Sequence, residues 1–345
     1  MAQNHLAVPF ADAHGKNLTF FTFKRWHSNG KQEDAGFIQA LNFLNYSIII
    51  PVLKLEGNPY LEDLLRNLGQ QSIKPEIVHL VVGDKRQGRA INYGVSQAKS
   101  EYIATLDDDS FIDDPDLFKK LLEEMAEDDQ IGMAGAACEI PPWATPFQKK
   151  AMEEIERRSF PTQKKTIDSD MVQHPCLIMP RAFFEEIGGE DEELIRGLDP
   201  VLRKKVRDAG KRVVIVANTW VYHLLPPGWA SLVKMYYRNG KGSGYAQRHF
   251  PERVLELSDG YDGGSFVEKH SFFYRLSRRL IKLMSSLVQG KWLKISTDLA
   301  YGAGVLREKC APAKMQNIPT REGVESSPWT GWDFEVKVHQ VKLKA

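Results

Sequence analysis

Three short apolar runs, separated by segments with helical spacing, constrain the fold of this chain more than any other feature. The runs cover residues 47–52, 77–82 and 102–106. Runs of this length, two of them rich in β-branched residues, are typical of strands that are buried on both faces of a sheet. Leucines at helical spacing over residues 61–68 and a helical segment over residues 90–98 connect the runs. The order strand–helix–strand–helix–strand predicts a mainly parallel α/β sheet with right-handed crossovers.

Composition narrows the class of protein and its partners. The 345 residues and the hydrophobic content of 42% are those of a globular protein with a substantial core. The formal net charge of +1 gives no overall attraction to nucleic acid, so we predict no nucleic-acid partner. The three cysteines are far apart, which fits a reducing compartment and lacks the spacing of a zinc site. Without a secretory signal or an apolar run of ~20 residues, we expect a cytoplasmic protein, soluble or peripheral on the cytoplasmic face of a membrane.

Three consecutive acids, Asp107, Asp108 and Asp109, directly follow the third apolar run. In open α/β sheets ligands bind at the carboxyl ends of the strands. Neighbouring carboxylates repel one another, so a cation stabilises them, and Mg²⁺ or Mn²⁺ prefers such oxygen ligands together with substrate phosphates. The alternative is that the acids favour the start of the next helix. A calcium loop of the EF-hand type is excluded, because its sixth position would be Ile112 and its twelfth Phe118.

An ordered set of motifs carries a family resemblance. Residues 88–109 combine a Gly-x-Ala-x-Asn-x-Gly stretch with the three aspartates, and this combination resembles glycosyltransferase family 2, which has the GT-A fold. Residues 47–52 are similar to the opening strand of that family, and residues 181–189 to its R-x-x-F-x-x-I-G-G segment. His223 matches the late histidine of the family. The resemblance implies inverting, metal-dependent transfer of a sugar from a nucleotide-sugar donor to an acceptor hydroxyl.

The resemblance covers residues 46–250 and divides the chain. We predict an N-terminal extension over residues 1–45, a GT-A-like domain over residues 46–250, and a helical region with a terminal strand over residues 251–345. The predicted fold class is α/β, with a mainly parallel Rossmann-type sheet flanked by helices and a helical C-terminal extension. Within it, the aromatic and glycine-rich segment 236–245 is either a mobile lid over the donor or a connecting loop.

The resemblance also implies a donor and metal site. Asp107 and Asp109 would hold Mn²⁺ or Mg²⁺, and Asp107 would also face the ribose of the donor. Asp108 is assigned to the donor side, where it supports the turn, and Pro51 at the end of the opening strand belongs to the same nucleotide side. His223 either completes the metal site or is structural, as lone histidines at strand ends commonly are.

The end of the second strand departs from the family pattern. The family carries a pair of acids there that contact the nucleobase, whereas this chain has only Asp84. Arg86 and Arg89 follow it, and they could contact the phosphates of the donor because guanidinium groups suit phosphate oxygens. The alternative is a solvated basic loop without a ligand.

By position in the family, Asp199 is the general base that takes the proton from the acceptor hydroxyl. Asp199 before Pro200 is also the pattern of a helix cap followed by the first helical residue, so a capping role is the alternative. Leu198 stands where the family carries a glutamate. His174 lies in a largely apolar stretch, and we interpret it mainly as a packing residue with a weaker case for contact with the acceptor.

Residues 275–287 predict an amphipathic helix with one leucine and methionine stripe and one arginine and lysine stripe. Such a helix either lies in an anionic membrane surface or packs on the catalytic domain with a wet basic face. A membrane surface would suit a lipid-linked acceptor, so the expected partners are a nucleotide sugar and a glycan or lipid-linked acceptor. Alternating apolar residues over 334–338 predict a half-exposed terminal strand.

Two other functions stay open from the sequence. A sugar-nucleotide pyrophosphorylase also uses an α/β sheet and Mg²⁺, but it would need a glycine-rich phosphate loop where this chain has Pro51, Val52, Leu53 and Lys54. A non-catalytic nucleotide-sugar-binding protein with a degenerate transferase fold is the second alternative. It stays open because the family acids before Asp199 and beside Asp84 are missing.

Overall fold

A computed structural model gives the architecture, and it describes residues 10–11, 17–18, 44–257, 266–267, 272–311 and 320–343. The chain divides into two compact units, residues 1–39 and residues 40–345. In the first unit, strands β1 (Phe10–Ala11) and β2 (Asn17–Leu18) pair in antiparallel fashion. Most of the predicted N-terminal extension lies outside the described residues, and the domain boundaries predicted after residues 45 and 250 stay predictions.

The second unit contains a ten-stranded mixed sheet. The strands that follow β2 in the chain are β3 (Tyr46–Val52), β4 (Ile77–Val82), β5 (Tyr102–Thr105), β6 (Ser110–Phe111), β7 (Ile131–Glu139), β8 (Ile167–Asp168), β9 (Leu177–Pro180), β10 (Arg212–His223), β11 (Glu256–Leu257), β12 (Phe266–Val267), β13 (Arg321–Pro328) and β14 (Glu335–Leu343). The order across the sheet is β13-β14-β4-β3-β5-β9-β7-β10-β6, with β8 paired to β10, while β11 and β12 pair with each other. Neighbours from β14 through β5 are parallel, as are β7 and β10.

Helices flank this sheet. They are α1 (Leu61–Gly69), α2 (Gln87–Gln97), α3 (Leu117–Glu127), α4 (Pro146–Glu154), α5 (Arg181–Glu186), α6 (Leu198–Asp208), α7 (Trp229–His249), α8 (Phe272–Val288) and α9 (Trp292–Cys310). Among the helices that the structure describes, none combines the length and the apolar content that a bilayer span requires. The predicted fold class, a mostly parallel α/β sheet flanked by helices, is confirmed.

The alternation of side chains along β3 builds a core on each face of the sheet. Ile48 and Ile50 belong to the core that α1 and α3 cover, whereas Ile49 belongs to the core that α2, α5 and α6 cover. Successive strand residues point to opposite faces, so a continuous apolar run is what a doubly covered strand requires. All three isoleucines are fully buried.

The C-terminal residues extend the same sheet. The predicted terminal strand is β14, which lies parallel to β4 and forms a hairpin with β13 at the edge of the sheet. Val336, Val338 and Val341 of β14 are buried. The last strand therefore completes the core next to β4, and among the described residues after 267 the helices α8 and α9 lie outside the sheet.

The segment 236–245 is part of helix α7, so the connecting-loop interpretation is wrong, and the lid interpretation stays a prediction. Its glycines allow α7 and α9 to pack with their backbones in contact. A Cβ atom on Gly240 would lie 2.1 Å from the carbonyl oxygen of Tyr301, and one on Gly304 would lie 2.2 Å from that of Tyr237. Glycine lowers helix propensity, but the close packing that it permits outweighs this cost here.

Candidate active site

A cavity with a volume of about 1100 Å³ opens where β5 and β10 end. The acids of residues 107–109 and Asp199 line it together with His223 and His174. Basic side chains of α7 and of nearby loops form another part of its wall. The cavity thus lies at the carboxyl ends of sheet strands, where ligands bind in open α/β folds.

Strand pairing brings His223 to the three aspartates. Thr105 ends β5, the acids follow, and β6 then pairs in antiparallel fashion with the end of β10, where His223 is opposite Ser110. In this register the Nε2 atom of His223 lies 3.1 Å from Oδ1 of Asp109 and 4.0 Å from Oδ2 of Asp107. Two segments more than a hundred residues apart therefore meet at one cluster.

The cluster of Asp107, Asp109 and His223 fits a divalent cation. Each residue offers one ligand atom, and these atoms all lie within 4.8 Å of one another. Carboxylate oxygens suit Mg²⁺ and Mn²⁺, and a neutral imidazole nitrogen is a common metal ligand in proteins. Gln87 orients the cluster, because its Nε2 donates a hydrogen bond of 2.9 Å to Oδ1 of Asp107.

The electrostatics of the three aspartates are those of crowded carboxylates. Burial raises the pKa of Asp107, and burial followed by the charges of Asp109 and Asp107 raises the pKa of Asp108 to about 6. Asn58 donates a hydrogen bond of 2.7 Å to Asp108 and opposes this rise. Burial also disfavours ionised Asp109, but the hydrogen bond and charge of His223 outweigh it and lower the pKa. A bound cation would relieve the remaining repulsion.

Asp199 lies in the first turn of α6, and it does not cap that helix. The residue at the cap position is Gly197, so the capping interpretation of Asp199 is wrong. Instead Oδ1 of Asp199 accepts a hydrogen bond of 2.9 Å from the backbone N–H of His174, and it lies 2.6 Å from the ring Nδ1 of the same residue. The carboxylate remains partly exposed to the cavity.

His174 bridges two carboxylates. Its Nε2 lies 2.8 Å from Oε1 of the buried Glu190, so both ring nitrogens contact an acid. Burial alone would lower the pKa of His174, but Asp199 and Glu190 raise it well above the ordinary value. Burial likewise opposes ionised Asp199, yet the positive charge of His174 lowers its pKa. His174 therefore stabilises the ionised form of Asp199. This electrostatic role goes beyond the packing role that the sequence predicts.

The sequence did not predict a role for Glu190 in the site, although a residue of a recognised motif forms hydrogen bonds with its backbone. Asn92, the asparagine of the Gly-x-Ala-x-Asn-x-Gly stretch, donates from Nδ2 to the carbonyl oxygen of Glu190 at 3.1 Å. Asn92 also accepts, through Oδ1, a hydrogen bond of 2.8 Å from the backbone N–H of Glu190. In the sequence, Glu190 is marked only by its position directly after two glycines. Its contact partner His174 is 16 residues away, so no local pattern indicates the contact.

Of the residues predicted at the nucleotide side, Asp107 and Asp108 line the cavity, whereas Pro51, Asp84, Arg86 and Arg89 do not. Asp84 is buried and accepts hydrogen bonds of 2.8 Å from both Nε and Nη2 of Arg89, and Arg321 of β13 donates to it at 3.2 Å. Arg86 donates from Nη1 to a backbone oxygen 2.9 Å away. Pro51 lies on β3. These contacts join the β4–α2 connection to the C-terminal hairpin, and the predicted contacts with nucleobase and phosphate stay predictions.

Five cations of the cavity were also missed by the sequence reasoning. They are Arg158, Arg196, Lys234, Arg238 and Lys241. Burial, followed by the charges of Arg238 and Arg158, lowers the pKa of Arg196. Within the part of the chain that the structure describes, none of the five forms a salt bridge with an acid. This basic wall is therefore suited to an anionic ligand.

Comparisons with known proteins give one family model and several similar solved structures. Residues 55–188 match the family model described as Glycosyl transferase family 2. None of the curated proteins matches the chain. Among solved structures, the chain is similar to the mannosyltransferase PcManGT from Pyrobaculum calidifontis in complex with GDP-Man and Mn²⁺, with 13% identity over 74% of this chain and 73% of that one and a TM-score of 0.44. It is also similar to S. aureus TarS 1-349 in complex with UDP-GlcNAc, with 14% identity over 61% and 72% of the two chains and a TM-score of 0.42.

Proposed function

We propose that this chain, whose residues 55–188 match the family model described as Glycosyl transferase family 2, moves a sugar from a nucleotide-sugar donor to an acceptor hydroxyl with inversion at the anomeric carbon. One observation carries the proposal: the cluster of Asp107, Asp109 and His223 lines the same cavity as the carboxylate of Asp199. Direct displacement needs charge neutralisation at the leaving diphosphate and a base at the attacking hydroxyl. The cavity offers residues for both tasks.

The leaving-group half consists of the cation cluster and the basic wall. When bound, a divalent ion such as Mn²⁺ or Mg²⁺ would supply positive charge that stabilises the leaving diphosphate. Asp107, Asp109 and His223 would hold this ion. Arg196 and Arg238 would add charge to the phosphate oxygens, because a guanidinium group can donate two hydrogen bonds to one phosphate.

The acceptor half is Asp199 with its support. Oδ1 of Asp199 is held by His174, and in the described part of the chain Oδ2 accepts no hydrogen bond, which leaves it for the acceptor hydroxyl. The hydroxyl oxygen bonds to the anomeric carbon, the bond from that carbon to the diphosphate breaks, and the hydroxyl proton moves to Asp199. A carboxylate with a lowered pKa is a weak base, so it takes the proton only as the oxygen becomes positively charged.

The acid that the family carries before Asp199 is replaced by Leu198 in this chain, and a carboxylate from another segment lies near Asp199 instead. Leu198 is buried in an apolar cluster with Leu194 and Tyr245. The second carboxylate near Asp199 is instead Glu190, which acts through His174. This intact polar support favours an enzyme over the degenerate binding protein, and the missing glycine-rich loop after β3 disfavours a pyrophosphorylase.

We propose that the acceptor is a glycan or a lipid-linked sugar in cell-surface glycan or glycolipid synthesis, and that the protein works on the cytoplasmic face of a membrane. The test is turnover of a panel of nucleotide sugars with Mn²⁺, with Mg²⁺ and with EDTA, followed by NMR of the anomeric configuration of the product. We expect metal-dependent turnover of one donor with inversion. Retention of configuration, or turnover that resists EDTA, would overturn the proposed mechanism.

A further inference from the structure

Helix α8 is amphipathic with its apolar face turned outward. Five large apolar residues expose between 45% and 85% of their surface, and these are Leu280, Ile281, Met284, Leu287 and Val288. On the other side Ser286 is buried, and the Nζ atom of Lys282 lies 3.3 Å from a carboxylate oxygen of Glu156. A helix that packs on a domain buries its apolar stripe, so the orientation of α8 disfavours the packing interpretation.

Helix α9 also carries an exposed apolar stripe. Trp292, Leu299 and Leu306 are spaced by seven residues, which places them on one face of the helix, and they are exposed by 58%, 59% and 64%. The opposite face, with Ala300 and Gly304, packs against α7. The residues of both stripes thus keep about half or more of their surface exposed. Isolated exposed apolar residues are ordinary, whereas whole stripes of them on two successive helices indicate an interaction surface.

The two helices are also strongly basic. Residues 272–311 carry eight lysines and arginines and two acids, a formal net charge of +6, although the whole chain has only +1. Arg279, Arg307 and Lys309 are exposed. Basic side chains beside an exposed apolar stripe match a surface that offers anionic headgroups above acyl chains.

We propose that α8 and α9 form a platform that lies on an anionic lipid surface. The apolar stripe enters the boundary between headgroups and acyl chains, and the basic side chains contact the lipid phosphates. A second copy of this chain is a poorer occupant, because two surfaces with the same positive charge repel each other. The charge thus distinguishes a lipid partner from self-association.

The platform is firmly joined to the catalytic cavity. Helix α9 contacts α7 backbone to backbone at Gly240 and Gly304, and α7 carries Lys234, Arg238 and Lys241 of the basic wall. A bilayer bound to the platform would therefore hold the cavity at a fixed position relative to the lipid surface. The link to a lipid-linked acceptor rests on the proposed function, whereas lipid binding itself does not.

The test is flotation of the full chain with vesicles of phosphatidylcholine alone and of phosphatidylcholine mixed with phosphatidylglycerol. We expect binding only to the mixed vesicles, and a loss on the order of tenfold in Ile281→Glu and in Leu299→Glu. Leu53→Glu is the matched control, because Leu53 is an equally exposed leucine on the β3–α1 connection. Absence of binding by the wild type, or an equal loss in Leu53→Glu, overturns the proposal.

A charge variant and the oligomeric state complete the test. Arg279→Glu should weaken binding to the mixed vesicles several-fold, whereas Lys99→Glu, a change at an exposed lysine between α2 and β5, should not. A dimer in sedimentation equilibrium that Ile281→Glu abolishes, without vesicle binding, would assign the platform to self-association instead. Turnover of a soluble donor in the same variants separates a failed platform from a failed transferase, because flotation needs no catalysis.

Discussion

Two histidine–aspartate pairs lie in one cavity, and their surroundings differ. The side chain of His223 is 22% exposed and contacts Asp109, with a second acid, Asp107, close by. The side chain of His174 is 4% exposed and lies between two carboxylates, those of Asp199 and Glu190. The first imidazole can exchange its proton for a cation, since its partners are open to the cavity. The second has no free nitrogen, so it can only donate hydrogen bonds and positive charge.

Because of this difference, the two histidines have separate roles in the cavity. Burial would lower the pKa of His223, but Asp109 and Asp107 raise it, so a proton competes with a metal ion for its nitrogen. The positive charge of His174 instead keeps Asp199 ionised. The same pair of residue types therefore predicts a cation site in one place and a supported base in the other.

The largest effect is expected from Asp199→Asn, which removes the base and keeps the shape. The asparagine oxygen can still accept the hydrogen bond from the backbone of His174. Turnover should fall about 10²- to 10⁴-fold, the usual contribution of general base catalysis, while nucleotide binding in the presence of Mn²⁺ persists. Steady-state kinetics and calorimetry measure the two effects, and a variant with normal turnover would exclude Asp199 as the base.

A large effect is expected from Asp109→Ala, which removes a ligand from the cation cluster. Turnover should fall on the order of 10²- to 10³-fold because the leaving diphosphate loses its neutralising charge. The matched control is Asp108→Asn, whose side chain bonds to Asn58 and lies outside the cluster. Kinetics at increasing Mn²⁺ concentration measure both variants, and equal losses would show that the cluster is wrongly assigned.

A smaller effect is expected from His174→Gln, and it should appear in the pH profile. In the wild type Asp199 stays ionised to low pH because the positive charge of His174 lowers its pKa. Without that charge the pKa rises toward the ordinary range, so the acidic limb of the kcat/KM profile should move to higher pH. Near neutral pH the loss should be about tenfold from weaker positioning. An acidic limb that stays in place would mean that His174 does not control Asp199.

The smallest effect on turnover is expected from changes at His79 and His339, two buried histidines that contact each other without a carboxylate. Nδ1 of His79 lies 3.0 Å from Nε2 of His339 in the β4–β14 contact. Burial first, and then neighbouring positive charge, lowers both pKa values to about 4. Unfolded histidine titrates near 6.5, so between pH 6.5 and 4 the unfolded state binds more protons. The free energy of unfolding should therefore fall by a few kcal/mol on acidification through that range.

Urea denaturation at pH 7 and pH 5 measures this dependence, and His339→Gln is the informative variant. It removes one of the two depressed pKa values, so its stability should depend less on pH than that of the wild type. Equal pH dependence in the two proteins would place the acid sensitivity outside this pair of histidines.

The sequence predicted what depends on local pattern. The strands β3, β4 and β5 are runs of apolar residues, and the position of Asp107–Asp109 follows from where β5 ends. The segment 236–245 was misassigned because its glycines weaken a helix locally, whereas the backbone contact with α9 stabilises it. The role of Glu190 could not be predicted, because no local pattern indicates that its carboxylate meets His174.

The position of Asp84 illustrates the same limit. Sequence alone assigned it to the nucleobase, since nothing near residue 84 predicts that Arg321 of the C-terminal hairpin will reach it. The pairing of β14 with β4 decides this contact, and it joins residues more than two hundred positions apart. Long-range pairing, which the apolar pattern of one strand does not specify, therefore determines which acids face the cavity.

The division between the two histidine–aspartate pairs is tested most directly by the Mn²⁺ affinity of His223→Gln and His174→Gln, measured by electron paramagnetic resonance titration in the presence of nucleoside diphosphate. Loss of a cluster ligand should weaken Mn²⁺ binding by about 10- to 100-fold in His223→Gln. His174→Gln should bind Mn²⁺ at least as tightly as the wild type, because it removes a positive charge near the cluster. Equal weakening in both variants, or weakening in His174→Gln alone, would contradict the division.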